Sequence, residues 1–463
     1  MVLQADLATW IEQEYRIAAR EMLQSVSATH LEQHRPAFGQ VIRPAPGSVL
    51  ASPVPAHYDP VPDYFFHWLR DSAAVIGAVL ELIGDGTLAE AGHAIVADFV
   101  AFSLDLDRLD GRKLADDPGY GAHVTADGRR YLRLREEMAQ ISGDRVRMEA
   151  RFNPDGSLDI IRWGRPQLDG PAFRALVLME YADAHGSSRA LKALVDADVD
   201  FTLRHAGMDG VDIWEERLCG DYYTRSLQHA LLSRAAAAAS DRGDRAAAIN
   251  TAVQRLSGLL ESHWSSARGA CLSAVSETPP TDRDVDFAVV LAALHANRTD
   301  GAHSVRDPAM QATLATLEGV FERDYAINRD DTTRAPAMGR YRGDVYQSGG
   351  AFYFSTLGAA EFHYRLAVSA VSRAIQLTDR NSAFLSRAAI AGAQPGSAQA
   401  RALLHRGDAF MDTVQRFTPP SGALSEQFDQ TDGHQTSACH LAWSYAAFVT
   451  ATAWRRRAVA AIR

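Results

Sequence analysis

Two acidic motifs, Trp214-Glu215-Glu216 and Ser425-Glu426-Gln427, lie in distant parts of the chain. The first follows a helical pattern that ends near Gly207, and the second sits in the Pro/Gly/Ser-rich stretch Thr418 to Gly433. Two such carboxyl groups are what acid–base cleavage of a glycosidic bond requires. One, protonated, expels the leaving sugar oxygen, and the other, ionised, activates water. A general acid working near neutral pH needs a raised pKa, and an aromatic neighbour and an adjacent like charge both push that way. Trp214 and Glu216 are neighbours of those kinds. Either motif alone also reads as a solvated surface acid, so the weight falls on what accompanies them.

Three further clusters do so. Tyr64, Trp68, Arg70 and Asp71 lie in Pro62-Asp63-Tyr64-Phe65-Phe66-His67-Trp68-Leu69-Arg70-Asp71. Sugars present apolar C–H faces and a rim of hydroxyls; aromatic rings cover the first, and Arg/Asp forks bind the second. Taken alone, the same cluster reads as a buried aromatic anchor with an Arg-Asp pair at a helix start. Trp163-Gly164-Arg165-Pro166-Gln167-Leu168-Asp169-Gly170 and Gly339-Arg340-Tyr341-Arg342-Gly343-Asp344 repeat the combination of aromatic, Arg and Asp in Gly-rich turns. His67, His434 and His440 lack metal-ligand spacing and read as packing or rim residues, so neither a metal nor a cofactor is expected. Arg455 to Arg457 read as cations complementing the end of the last helix. The chain has no nucleophile elbow, dinucleotide fingerprint or zinc motif.

These residues need elements to hold them. Apolar periodicity predicts helices at 4–23, 68–84, 88–106, 170–184, 188–206, 221–240, 244–263, 284–296, 306–324, 349–375, 395–415 and 436–457. Alternating patterns are scarce; Arg129 to Arg135 and Ser157 to Arg162 are candidates for short strands. Twelve helices suggest an all-α chain, an (α/α)6 barrel of six hairpins. Consecutive helices then run antiparallel, and every odd-to-even connection emerges on one end. All five clusters lie in or beside those connections, with Trp264 to Arg283 as the seven-to-eight loop on the same face. No linker divides residues 1–463, so one catalytic domain is expected, with 34–62 as a wrapping arm.

Composition sets the outer bounds. An apolar fraction of 47% and a charged fraction of 22% are those of an ordinary globular chain. A net charge of −10 argues against nucleic acid or an anionic membrane as partner. Asp6, Glu12 and Glu14 interrupt any apolar signal region, and no apolar run reaches the roughly 20 residues of a spanning helix. Three cysteines make no complete disulfide framework, so a reducing, cytoplasmic setting is expected.

With these motifs in order from about Asp59 to Tyr445, the chain resembles the glycoside hydrolase family of glucoamylases and glucodextranases, family 15. Pro62 to Ser72, Trp163 to Pro171, Trp214 to Glu216, Gly339 to Asp344, Ser425 to Asp429 and Leu441 to Tyr445 carry the resemblance. It implies the (α/α)6 barrel and the removal of single α-linked glucose units from non-reducing ends with inversion, without metal or cofactor. Glu215 then matches the general acid and Glu426 the general base, with carboxyl groups about 6.5–9.5 Å apart. Glu216 and Arg340 match residues on the leaving side. Arg70 and Asp71 match the pair gripping the terminal glucose, and Tyr64 a tyrosine near the attacking water. Trp68, Trp163 and Trp443 match site walls, and Ser437 a serine bonded to the base; Trp214 and Asp344 fall within the matching motifs. Two departures stand out. Phe352 occurs where fungal glucoamylases commonly carry Trp, and Leu168 where they carry Arg. Both fall near the substrate funnel, and with no starch-binding module expected they point to a short α-gluco-oligosaccharide as partner. Preference among α-1,4, α-1,6 and α,α-1,1 linkages stays open. So does a non-catalytic sugar-binding role, although such a role does not need both carboxylates.

Overall fold

A computed structural model describes residues 6–56, 61–238, 243–275, 281–329, 334–390 and 396–463. Parts of the expected arm (57–60, including Asp59), of the sixth helix (239–240) and of the seven-to-eight loop (276–280) lie outside them. Among the described residues, twelve helices have eight residues or more. They are α1 Leu7–Leu23, α2 Leu69–Gly84, α3 Ala89–Leu106, α4 Gly170–His185, α5 Arg189–His205 and α6 Tyr222–Ala238. The remainder are α7 Asp244–Glu261, α8 Ala288–His295, α9 Pro308–Asp324, α10 Tyr353–Ser372, α11 Ser397–Phe417 and α12 Ala442–Ile462. Each falls on one of the twelve expected spans.

Local chemistry sets several boundaries. Ser188 caps α5 by accepting from the Leu191 N–H at 3.1 Å. Asp307 caps α9, accepting from Ala309 N–H at 2.8 Å, with Pro308 pre-set for the first helical turn. α4 stops at Gly186, whose φ of +84° an L side chain rarely adopts.

The chain divides into two compact units, Met22–Leu256 and Met1–Glu21 with Ser257–Arg463. In the first, α4 packs on α2, α5 and α6, while α3 packs on α2 and α5. The even-numbered helices thus form an inner row covered by odd ones. In the second, α10 packs on α8, α11 and α12, and α8 on α9. The inner helices are apolar around most of their girth: Val75, Ile76, Ala78 and Val79 of α2 are all fully buried, as are Leu357, Ala359, Ala360 and Phe362 of α10. Helix α1 joins the second unit through Trp10, edge-on to Phe448 of α12 at 5.5 Å.

Among the described residues the strands are short, and two sets of them pair at the starts of inner helices. β1 (His67–Trp68) pairs antiparallel with β2 (Arg151–Phe152), setting Trp68 opposite Arg151. β3 (Ala351–Phe352), β4 (Gln427–Phe428) and β5 (Gln435–Thr436) form a sheet with β4 central.

Three expectations need correction. Arg129 to Arg135 is not a strand: it opens in a 3-10 turn, Gly128–Tyr131, and ends where a helix, Arg135–Ala139, begins. Only Leu132 bridges to Ile161, flanked by Arg133 N–H to Ile160 C=O at 2.9 Å and Arg162 N–H to Tyr131 C=O at 2.7 Å. Ser157 to Arg162 likewise gives only isolated bridges, at Leu158 and Ile161. The arginines at 455–457 do not serve the helix end, because α12 runs on to Ile462. Arg455 forks onto Asp408 at 2.7 and 3.0 Å, Arg456 onto Glu12 at 2.6 and 3.2 Å, and Arg457 lies over the Trp454 ring.

Candidate active site

In the unit Met22–Leu256, three connections deliver side chains to one carboxyl group. Trp68 and Arg70 stand at the start of α2, Trp163 and Gln167 just before α4, and Glu215 ahead of α6. Glu215 Oε1 accepts from Trp68 Nε1 at 2.8 Å, Gln167 Nε2 at 2.7 Å and Arg70 Nη2 at 3.4 Å. Its Oε2 accepts from Trp163 Nε1. Arg70 reaches this position because Gln167 Oε1 at 3.1 Å and Asp169 Oδ2 at 3.0 Å hold its other arm.

The turn carrying Glu215 is tight. Asp212 C=O accepts from Glu215 N–H at 2.9 Å, and its carboxylate accepts from Glu216 N–H at 2.8 Å. Glu215 takes φ +65°, a left-handed conformation that costs a non-glycine residue roughly 1–2 kcal/mol. Gly164 lets the neighbouring turn approach: a Cβ there would lie 3.1 Å from Glu215 C=O and 3.0 Å from Val211.

Beneath the two indoles is a residue that no motif announced. Arg151 is fully buried, its guanidinium 3.7 Å from the Trp163 ring centroid, 3.9 Å from Phe66 and 5.0 Å from Trp68. Its Nε donates to Asp159 at 2.9 Å. Asp159 also takes Arg165 at 3.2 Å, and Arg165 shares Glu149 with Arg133. The indoles that hold Glu215 thus rest on a buried cation fixed by an ionic chain. Arg151 carries no local signal; only the β1–β2 register brings it under Trp68.

Asp71 is buried beside Arg70, at 3.7 Å. Burial pushes its carboxyl up to about 6; Arg70 opposes the shift, while the charges of Glu215 and Asp169 add to it. Asp221, at the start of α6, was also not foreseen. Burial raises it to about 7 although it accepts from Thr224 N–H at 2.8 Å. Tyr64 is half-buried, edge-on to Trp68 at 5.3 Å. Trp214 is half-buried and Glu216 exposed. Leu168 is buried, its side chain facing Gly210.

The other unit builds a second carboxylate site at the starts of α10 and α12. Glu426 directly precedes β4; its N–H donates to Ala438 C=O at 2.8 Å, and Ser437 Oγ donates to its Oε2. Ser437, like Glu215, has φ +65°. Arg340 is 4% exposed and forks onto Asp344 with two bonds of 2.6 Å, its guanidinium 5.3 Å from the Phe352 ring. Gly339 is needed because a Cβ would run into Tyr325 Oη. Trp443 is 6% exposed and stacks on Phe354 at 4.6 Å. At the exposed tip between β4 and β5, ligand atoms of Asp429, Asp432 and His434 come within 4.8 Å of one another, with Asp432 already bonded to the His434 ring at 2.6 Å.

Each unit therefore presents a carboxyl group held by polar donors at the start of an inner helix. Indoles, Arg–Asp forks and hydroxyls accompany them, the equipment of an acid–base carbohydrate hydrolase. The family profile described as Glycosyl hydrolases family 15 matches residues 33–99 and 146–453, and the chain belongs to that family. Its curated relatives include Glucoamylase-1 of Schizophyllum commune, 29% identical over 441 residues (90% of this chain, 70% of that protein). A probable glucoamylase of Schizosaccharomyces pombe is 27% identical, over 98% of this chain and 93% of that protein. Among solved structures, the family 15 glucoamylase of Hypocrea jecorina superposes with TM-score 0.79 at 26% identity, covering 97% of this chain and 72% of that one. The Saccharomycopsis fibuligera glucoamylase gives TM-score 0.78 at 22% identity, covering 98% and 96%. The fold class is accordingly all-α, the (α/α)6 barrel of those enzymes.

Proposed function

We propose that this chain is an inverting, exo-acting α-glucosidase that releases β-D-glucose from the non-reducing ends of short α-gluco-oligosaccharides or α-glucans. The observation that carries the reading is the convergence of Trp68, Arg70, Trp163 and Gln167 on the single carboxyl group of Glu215. Arg70 and Asp71 grip the terminal glucose. Glu215 gives its proton to the glycosidic oxygen as the C1–O bond breaks through an oxocarbenium-like state. Glu426, oriented by Ser437, takes a proton from the water that attacks C1 from the opposite face, so the product carries the inverted configuration. The proton lost by Glu215 and the one gained by Glu426 balance through solvent between turnovers. Tyr64 stands near that water, Glu216 and Arg340 with Asp344 contact the leaving sugar, and Trp68, Trp163, Trp214 and Trp443 supply apolar walls.

Residues 1–463 act in this reading as one catalytic domain with 34–62 as its arm. The partner is a neutral α-glucan; nucleic acid and membrane have no part, which the net charge of −10 supports. No described helix is long and apolar enough to cross a membrane. A cytoplasmic setting rests on the three-cysteine count.

The test is glucose release from maltose, isomaltose, trehalose, dextran and soluble starch, with proton NMR of the first-formed anomer. Expected are β-glucose first, and a loss of about 10²–10⁴-fold in kcat for Glu426→Ala and Glu215→Gln. α-Glucose as first product, or a fully active Glu426→Ala variant, overturns the assignment. The panel also ranks the three linkages, and release from none of them favours a sugar-binding role.

A further inference from the structure

The backbone that leads into Glu426 is held by side chains to which the hydrolytic chemistry gives no part. Gln435 Nε2 donates to Ala423 C=O at 2.6 Å, and Leu424 N–H donates to Tyr445 Oη at 3.0 Å. Leu424 C=O accepts from Leu441 N–H at 3.1 Å, and Ser425 C=O from Ser444 Oγ at 2.8 Å. Glu426 C=O accepts from Tyr353 N–H of α10 at 3.3 Å. A general base is effective only where its carboxylate is aimed at the attacking water, and a misplacement of 1 Å costs about 10²-fold in rate. The segment from Ala423 to Glu426 is therefore part of the base as much as its support.

The bond from Leu424 N–H ends on a hydroxyl that is itself held. Tyr445 is fully buried at the start of α12, and burial raises its pKa, so the hydroxyl keeps its proton. A hydroxyl accepts up to two hydrogen bonds and donates one. Oη accepts from Leu424 N–H, which leaves its own proton for His440 Nδ1, 2.7 Å away. That second bond fixes the O–H torsion and so aims a lone pair at Leu424. His440 is half-buried, and Glu21 of α1 stands 3.8 Å from the same ring nitrogen. The His440 backbone takes φ +50°, a left-handed conformation that a non-glycine residue holds only where its surroundings fix it. Ser437, three positions earlier, is also left-handed and donates to Glu426 Oε2. Ser437 touches the carboxylate directly, whereas His440 reaches it through Tyr445 and the backbone at Leu424. Nothing in the spacing of His440 shows this; it reads in the sequence as a packing or rim residue.

We propose that His440 and Tyr445 are a pair of positioning residues for the general base, the His440 ring orienting the Tyr445 hydroxyl that fixes the backbone ahead of Glu426. The proposal rests on the glucosidase reading and deepens it. The experiment measures kcat and KM on maltose and on α-D-glucosyl fluoride, whose leaving group departs without a proton and so reports the base side apart from Glu215. Tyr445→Phe, which deletes one oxygen, is expected to lower kcat about tenfold on both substrates with KM unchanged. His440→Asn accepts the left-handed backbone and should give a smaller loss in the same direction. Because His440 acts through Tyr445, the double variant should be no slower than Tyr445→Phe. Deuterium exchange should quicken across residues 418–426 in each variant and stay unchanged across 210–218. An unaltered kcat in both single variants overturns the proposal, as does a loss on maltose that the fluoride does not share, or a double variant whose loss is the product of the single ones. If Tyr445→Phe fails to fold, kcat and exchange in His440→Asn decide alone. If the native chain hydrolyses neither substrate but exchange at 418–426 responds to the variants, the hydrolase reading falls and the anchoring of this segment stands. If the native chain is active and neither kcat nor exchange moves, the positioning role falls alone.

Discussion

Glu215 meets four donors from two other connections, and each of those donors sits in a motif that composition alone picks out. Arg151 does not. Its value comes from packing against Phe66, Trp68 and Trp163, and a two-residue strand leaves no periodicity from which that register could be read. A desolvated cation over an indole is worth about 2 kcal/mol. Arg151→Met is therefore expected to lower kcat about tenfold or more by loosening the indoles that orient Glu215. A shifted pH–rate profile and partial rescue in Arg151→Lys would separate positioning from general damage. An unchanged profile with reduced Tm would reduce Arg151 to a packing residue. Asp71 offers a pH test. Its carboxyl, lifted to about 6 by burial, is ionised above that pH and protonated below it. As a carboxylate it only accepts hydrogen bonds, and protonation removes part of that capacity. KM for maltose is expected to rise as pH falls below about 6, a trend that Asp71→Asn should abolish. A KM flat from pH 5 to 8 in the native enzyme would remove Asp71 from sugar binding.

At the scale of elements, the twelve long helices were legible because each buries a face and repeats that need every three or four residues. The stretch between α3 and α4 was not: short helices, single bridges and buried ion pairs fix it, and none of these has a period. The two carboxylate sites follow from the same logic, since the starts of α2, α4, α6, α10 and α12 are where the clusters were expected. Helix α1 carries a feature that its amphipathic pattern hid. Glu14 is 2% exposed, and its Oε1 has no hydrogen-bond partner among the described residues. The carboxyl lies against Gly422, in the loop that leads to Glu426; a Cβ there would come 2.7 Å from Oε2. Burial lifts its pKa to about 8, with Glu21 adding to the rise and Arg20 opposing it. The folded pKa is above the unfolded value, so the stability it confers is full below about pH 4.5 and drains away as pH rises through about 8. Glu14→Gln stays neutral throughout. It is expected to match the native chain in urea unfolding at pH 4 and to exceed it by at least about 1 kcal/mol at pH 8.5. A difference that does not vary with pH would refute the buried, protonated Glu14.

Across the whole molecule, the net charge of −10 says less about stability than the way the positive charge is deployed. Of the 47 basic residues only Lys113 and Lys192 are lysines. Arginine's planar fork can enter the interior if a carboxylate meets it squarely, and here it does so repeatedly: Arg35 with Asp63, Arg133 with Glu149, Arg174 with Asp198 and Arg340 with Asp344. The Arg174–Asp198 pair joins α4 to α5 through bonds of 2.9 and 2.7 Å, with side chains 1% and 0% exposed. Such a pair contributes little net stability over a well-packed apolar pair, because desolvation offsets attraction. Removing one partner strands a buried charge and costs about 3–5 kcal/mol. Asp198→Leu, which strands Arg174, should therefore lower unfolding free energy by about that amount, and Arg174→Met by less, because Arg147 still donates to Asp198 at 3.3 Å while keeping Asp107 as its other partner. The double variant Arg174→Met/Asp198→Leu should recover most of the loss. Chemical denaturation of all four proteins in a double-mutant cycle measures this directly. Additive losses would mean that the two residues act through separate contacts, and the ionic forks would then be surface-like in energy despite their burial.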